Sequence, residues 1–253
     1  MNNTRFHSEH KPWLGLVAGV CMLAFCLAGC HTPALLVTLP AIRYANDAEA
    51  LDHLTQRQNQ IQTLQAQATL RLTPPQGKTQ TLDAQLVHIT PHHTRLRASK
   101  LNHNVFDLTV TPEAAFVAVS KRVTRESPDA QAGLLHLARA LPFLIQGPPY
   151  TQARVVRGAP NQLNLAWDNR VTATLDSATL TPLVFKLIDD QGQTIILTPT
   201  YTLYQNIPWL QQVSATGPFG TLKLTFYNVA LNDTLNPRAF TPPRRATRHP
   251  LAP

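Results

Sequence analysis

The sequence is poor in the residues that most chemistry uses. Of 253 residues only 14% are charged and 7% aromatic, with three cysteines and ten glycines. Sparse charge beside 43% hydrophobic residues excludes an acidic or polar disordered chain and a coiled coil, both of which need many charges. Three cysteines exclude a disulfide-dense secreted module. No G-x-S-x-G, H-E-x-x-H, phosphate-loop or dinucleotide-binding glycine pattern occurs, so an enzyme is not expected and no cofactor is implied. Proline is abundant, with 21 residues. The length suits one large domain or two small ones, with ample core.

The first thirty residues stand apart. Residues 1–11 carry Arg5 and Lys11, and the run from Pro12 to Gly29, PWLGLVAGVCMLAFCLAG, carries no charge. A basic start before an apolar run is the layout of a secretory signal peptide. The run approaches the length that spans a bilayer, which leaves a permanent transmembrane anchor as the alternative. Gly15, Gly19 and Gly29 interrupt it, however, and it ends in Leu27-Ala28-Gly29-Cys30. That tetrad resembles the lipobox of bacterial lipoproteins. The resemblance implies removal of residues 1–29 and a diacylglycerol on the Cys30 thiol. Acyl chains contribute about 0.8 kcal/mol per buried methylene, so several of them make a lasting anchor. His31 rather than Asp follows the cysteine, which in that family's sorting convention implies the outer membrane, on its periplasmic face. Cys21 and Cys26 would leave with the signal, so the mature chain would hold no thiol for disulfides, catalysis or metal binding.

The formal charge is +8, and loss of Arg5, Lys11 and Glu9 would lower it by one. Residues 238–253 hold Arg238, Arg244, Arg245 and Arg248 and no acid, so the basic character is concentrated in a tail. Its prolines are expected to prevent regular structure. A solvated, disordered end is one reading, and electrostatic contact with anionic lipid headgroups or an acidic partner is the other. Nucleic-acid binding is not supported, because no basic-aromatic module of a known kind appears.

Between these ends, residues 30–44 read as a proline-punctuated tether and residues 45–237 as the folded domain. Asn46 or Asp47 can cap a helix along which Leu51, Leu54, Ile61 and Leu64 recur at helical spacing, with Gln56, Arg57 and Gln60 on the opposite, polar face. Near Leu64 the period changes to two. Short alternating runs follow: around Leu82–Leu86, Leu96–Ala98, Phe106–Val110 and AAFVAV, then ARVVR, QLNLAW, VTATL, LVFKLI, TIILTPTYTLY and TLKLTFYNVAL. Closely spaced strands of this kind form an antiparallel meander. A second apolar-faced helix is expected over 129–146 from Leu134, Leu135, Leu137, Ala138, Leu141, Leu144 and Ile145, bent or ended near Pro142. The expected fold class is α+β, mainly β. About ten or eleven strands form a curved sheet, because strand twist curls a sheet of this size into an incomplete barrel. The two amphipathic helices close its apolar side.

Two clusters have the residue types of a reactive site. His88, His92 and His93 carry imidazoles that suit zinc or copper. No acid is placed to complete a site, and two of them adjoin Pro91 in a turn, so no metal site is expected. Asp189-Asp190 falls in a turn signal and reads as a solvated hairpin.

The pattern of IQTLQAQATLRL, then TRLRASKLNHNVFDLTVTPEAAFVAV, then the late strand LKLTFYNVALN resembles the LolA/LolB group of lipoprotein carriers. That resemblance implies an unclosed antiparallel barrel with helices as a lid. It also implies a function: accepting the acyl chains of lipoproteins from a periplasmic carrier protein and releasing them into the outer membrane. In that group a leucine on a loop between two early strands acts at the membrane. The matching stretch here is Ser99–Asn104, which implies that role for Leu101; a leucine folded back onto the core is the alternative. The middle segment GLLHLARALPFLIQGPPY lacks the tryptophan-containing helix end common in LolB proteins, so a paralogous lipoprotein handling another lipid stands beside LolB equivalence. Inward-facing candidates for an acyl cavity are Leu70, Leu86, Leu96, Phe106, Leu108, Leu165, Phe185, Leu224 and Phe226, with ordinary filled core as the alternative. The rival function is a structural or assembly-accessory lipoprotein acting through protein–protein contacts at a sheet edge.

Overall fold

Asn46 opens the fold. Its side chain accepts a hydrogen bond from the Glu49 backbone N–H at 3.0 Å, supplying one of the partners that the first helical turn otherwise lacks. Helix α1 (Asp47–Asn59) follows and buries Ala50 and Leu54. Ile61 and Leu64, which extend the helical period in the sequence, lie beyond its end. The structure, a computed structural model, describes residues 38–91, 93–121, 130–156, 158–189 and 192–251. The signal segment, Cys30, most of the tether, His92 and Asp190 lie outside the described residues. Among those described, no helix is long and apolar enough to cross a membrane.

Five strands come next: β1 (Thr63–Thr73), β2 (Gln80–Ile89), β3 (His93–Lys100), β4 (His103–Val110) and β5 (Ala114–Val119). Helix α2 (Ala130–Ile145) interrupts the sheet. Then follow β6 (Arg154–Val156), β7 (Gln162–Ala166), β8 (Val171–Asp176), β9 (Pro182–Ile188), β10 (Thr194–Tyr204), β11 (Ile207–Gly217), β12 (Gly220–Leu231) and β13 (Thr247–Pro250). All belong to one antiparallel sheet in the order β13-β5-β4-β3-β2-β1-β12-β11-β10-β9-β8-β7-β6. The pairing of β1 with β12 joins the two meanders, and the sheet is not closed. The α+β class, the antiparallel meander and the two helices are therefore as the sequence implies.

The strand number is not: among the described residues there are thirteen, where ten or eleven are expected. Strand β11 escapes a period-two reading because its register slips opposite Thr200/Tyr201, which pair with Gln212 and Leu210. The extra residue puts Trp209 and Leu210 both in the core, at 3% exposure each, and breaks the alternation. Strand β13 corrects the expectation that the tail is irregular. Thr247–Pro250 pairs antiparallel with β5, an edge position at which proline removes no ladder bond that the sheet needs.

One face of the sheet carries the core. Leu64, Leu70, Leu86, Leu96, Leu108 and Leu224 are fully buried with Ala66, Ala68 and Ala98, and they share a cluster with Leu137, Leu141 and Leu144 of α2. Each fully buried leucine contributes about 1.5–3 kcal/mol, so α2 is held by burial despite Pro142 in its interior. Gly147, at φ +74°, ends α2 in the left-handed conformation that glycine adopts at least cost. Gly220, at φ +90°, has the same freedom for a second reason: a Cβ there would collide with the Thr73 carbonyl.

The other face is covered where β3–β5 meet the returning tail. Asp107 and Thr109 point to this side and are still only 1% and 0% exposed. Pro237–Phe240, a short 3₁₀ turn, lies over them: Arg95 donates to the Ala239 carbonyl at 2.7 Å, and Phe240 meets His93 edge-on. Among the described residues, every strand, both helices and the buried core lie within the unit Leu39–Pro253.

Candidate functional site

The hollow of the domain lies at one end of the core face. The C-terminal half of α1 (Leu54, Arg57, Gln58) and the end of α2 (Phe143 to Gly147) form its roof. Tyr150 and the inward residues Phe185, Leu197, Tyr201, Trp209 and Val213 of β9–β11 form its floor and walls. The free space is about 80 Å³, several times the ~10–15 Å³ that admits one water.

Side chains of α1 tie the roof down through carbonyl groups. Gln58 donates from Nε2 to the carbonyls of Gln146 at 3.0 Å and Pro148 at 3.1 Å, which fastens α1 to the end of α2. Arg57 donates from Nη1 to the Leu180 carbonyl at 3.1 Å and from Nη2 to the Thr179 carbonyl at 3.0 Å, which fastens α1 to the β8–β9 turn. Trp167 Nε1 donates to the Pro149 carbonyl at 2.7 Å and its ring packs on Tyr150, fixing the segment after α2. A second tie holds the middle of α2, where His136 and Asp189 lie 2.6 Å apart. Asp189 is therefore not the solvated hairpin residue that the turn signal implied: its side chain is 6% exposed.

Burial sets the protonation of the pocket's polar groups. It pushes the Tyr150 and Tyr201 phenols above their ordinary range, so both are neutral hydroxyls at physiological pH. Desolvation also lowers the Arg57 guanidinium from its usual value, opposed by the neighbouring Tyr150 and Tyr201. The sequence reading placed Arg57 on the solvent face of α1. The structure corrects this, because Arg57 lies three residues after Leu54 and so shares its face.

All nine candidate cavity residues are buried and belong to the core cluster. Only Phe185 lines the hollow; Leu70, Leu86, Leu96, Phe106, Leu108, Leu165, Leu224 and Phe226 are packed core. Alternation identifies the inward face but not where along it the helices leave space. The residues that the sequence reading missed, Tyr150, Leu197, Tyr201, Trp209 and Val213, sit on the strands and turn nearest the gap between α1 and α2.

Leu101 does not fold back onto the core. It is 83% exposed at the apex of the β3–β4 hairpin, where Lys100 pairs with His103 and leaves a two-residue turn, not the longer loop expected over Ser99–Asn104. Leu101 and Asn102 have φ of +49° and +64°, the pair of left-handed residues of a type I′ turn. Asparagine suits that conformation and leucine does not.

Of the three candidate histidines, His92 lies outside the described residues and the other two point to opposite sides of the sheet. His88 points into the core, where its Nδ1 lies 2.8 Å from Thr94 Oγ1. His93 pairs with Ile89 and faces Phe240 on the opposite side of the sheet. Among the described residues no group of three His, Cys, Asp or Glu side chains is placed to hold a metal ion.

No family model and no curated protein matches the chain. Solved structures do. A DUF1329 family protein from Desulfovibrio piger aligns with a TM-score of 0.55 at 11% identity, over 78% of this chain and 98% of that one. A domain from Vibrio parahaemolyticus, named for outer membrane lipoprotein sorting, aligns with a TM-score of 0.51 at 13% identity, over 77% and 97%. A LolA superfamily protein from Nitrosomonas europaea aligns with a TM-score of 0.48 at 7% identity, over 75% and 96%. At the identities of the first two the likeness is one of fold, and it spans nearly their whole length: the chain is built on the open antiparallel sheet with packed helices that its sequence resemblance implies.

Proposed function

We propose that this protein is a non-enzymatic carrier or acceptor of acyl chains, tethered through a lipidated Cys30 to the periplasmic face of the outer membrane. The observation that carries this reading is the hollow between α1, α2 and β9–β11. It is apolar on its walls, and its roof is tied down by carbonyl hydrogen bonds from Gln58 and Arg57 in addition to the core packing of α1 and α2. Burying hydrocarbon supplies affinity at about 25 cal/mol per Å². The free space is small, so admitting a long chain requires the α1–α2 roof to yield, and the ties from Gln58 and Arg57 are the contacts that must then break. The fold shared with a domain named for lipoprotein sorting supports a cargo of lipoprotein or lipid acyl chains, received from a periplasmic donor. LolB equivalence and a paralogue with a different lipid cargo both fit.

Leu101 is the point of membrane contact in this reading. A large aliphatic side chain at a strained, fully projecting turn serves no packing purpose in the fold, and it can enter the acyl boundary of a bilayer while cargo is released.

Lipid extraction and mass spectrometry of the Leu39–Pro253 unit, purified from cells without added lipid, test the proposal. Co-purified acyl lipid is expected; a protein free of lipid that also takes up none when offered it contradicts the carrier reading. For the anchor, Cys30→Ala is expected to leave unprocessed precursor in cells, and normal processing refutes the lipobox.

A further inference from the structure

Acyl groups in ester or amide linkage carry no charge, yet the hollow holds a cation. Arg57 is half-buried there, and its two hydrogen bonds go to neutral backbone carbonyls. A guanidinium has five N–H donors, so three are left over and the charge is not neutralised. Among the described residues the ion pairs are His53–Glu49, Arg95–Asp107, Arg97–Asp107 and His136–Asp189; none reaches Arg57.

The remaining polar groups around it also offer donors. Trp209 is 3% exposed and lines the hollow, and its Nε1 is buried without a hydrogen-bond partner. An indole N–H can only donate. The phenols of Tyr150 and Tyr201 are protonated and can donate as well. A buried donor without an acceptor lowers stability, and Arg57 is a half-buried cation without a counter-ion; the ligand group that suits both is an anionic oxygen acceptor. Among the described lining residues Arg57 is the only Lys or Arg, and the imidazole, His88, is tied to Thr94. One guanidinium balances one unit of charge. A phosphate monoester carries about −1.5 to −2 and would stay under-neutralised; a phosphodiester and a carboxylate each carry one charge and fit the guanidinium fork, and the carboxylate is the smaller of the two for a free space of about 80 Å³.

We infer that the hollow is a binding site for an acyl chain with a free carboxylate, Arg57 holding the head group and Phe185, Leu197 and Val213 lining the hydrocarbon path. This assignment rests on the acyl-binding reading and specifies its ligand class.

Displacement of a neutral fluorescent acyl probe from the Leu39–Pro253 unit by sodium laurate and by methyl laurate tests it, below the concentrations at which either aggregates. The acid-to-ester affinity ratio is the readout, since a loosened fold weakens both ligands alike. Laurate is expected to bind about tenfold or more tightly than its ester, in keeping with a charge-assisted hydrogen bond. Arg57→Gln is expected to bring the ratio near one, and Arg57→Lys to retain a preference for the acid. A ratio near one in the unaltered protein, or one unchanged in Arg57→Gln, overturns the carboxylate assignment while leaving acyl binding intact. Failure of both ligands to bind overturns the carrier reading itself.

Discussion

Arg95 grips the Asp107 carboxylate with two parallel hydrogen bonds, Nε to Oδ1 at 2.8 Å and Nη2 to Oδ2 at 2.7 Å, on the side of the sheet opposite the pocket. Arg97 adds a third at 3.2 Å, and the remaining Arg95 Nη1 holds the Ala239 carbonyl of the tail. The pair is largely dry, with side-chain exposures of 11% and 2%. It links β3, β4 and the tail, and the core face can therefore be left free for helices and ligand.

Removing one member of such a pair strands a buried charge, which is far costlier than losing the pair as a whole. Asp107→Ala is expected to lower unfolding free energy by about 3–5 kcal/mol. Urea denaturation followed by circular dichroism measures this; a loss under about 1 kcal/mol would mean that solvent reaches the site.

The tail is structural. Phe240 is 8% exposed, and β13 covers the edge of β5. Truncation after Ala246 is expected to uncover that edge and promote association between chains, read by size-exclusion chromatography with light scattering. A truncated chain that stays monomeric at high concentration would show that β13 has no protective role.

Leu101 should trade stability for membrane contact. A non-glycine residue in the left-handed region costs about 1–2 kcal/mol, less for asparagine. Leu101→Asn is therefore expected to raise the melting temperature and, at the same time, to reduce transfer of bound lipid to vesicles. Unchanged transfer would assign the leucine no membrane role.

The pocket tyrosines give an alkaline signature. A phenol whose folded pKa is raised stays protonated while the unfolded chain ionises near the ordinary value of about 10. The corresponding stability is intact below pH ~10 and is lost as pH rises from there toward the raised folded values. Tyr150→Phe removes one such group, so its stability is expected to fall less steeply above pH ~10 than that of the unaltered protein. Parallel thermal melts between pH 8 and 11 compare the two slopes, and equal slopes would contradict burial of the Tyr150 hydroxyl.

The strands of the first meander and β12 were legible because Leu64 to Leu72, Leu82 to Leu86 and Leu222 to Phe226 alternate without interruption. Strand β11 was not, because the bulge beside Trp209 and Leu210 shifts the inward set by one residue. The tail misled because proline forbids an inner strand but not an edge one. The site was the least legible part. Which face is inward follows from local alternation, but the gap between α1 and α2 depends on how two distant helices settle on the sheet. Arg57 shows the remaining difficulty: its spacing from Leu54 marks the apolar face, while its charge argues for solvent, and tertiary contacts with Thr179 and Leu180 decide in favour of the first.

Trp209 supplies the most direct test of an acyl chain in this hollow, because it lines it. A bromine-labelled acyl ligand titrated into the Leu39–Pro253 unit is expected to quench tryptophan fluorescence saturably at one ligand per chain, with most of the quenching lost in Trp209→Phe. Ligand that binds without quenching Trp209, or that does not bind at all, would contradict the account.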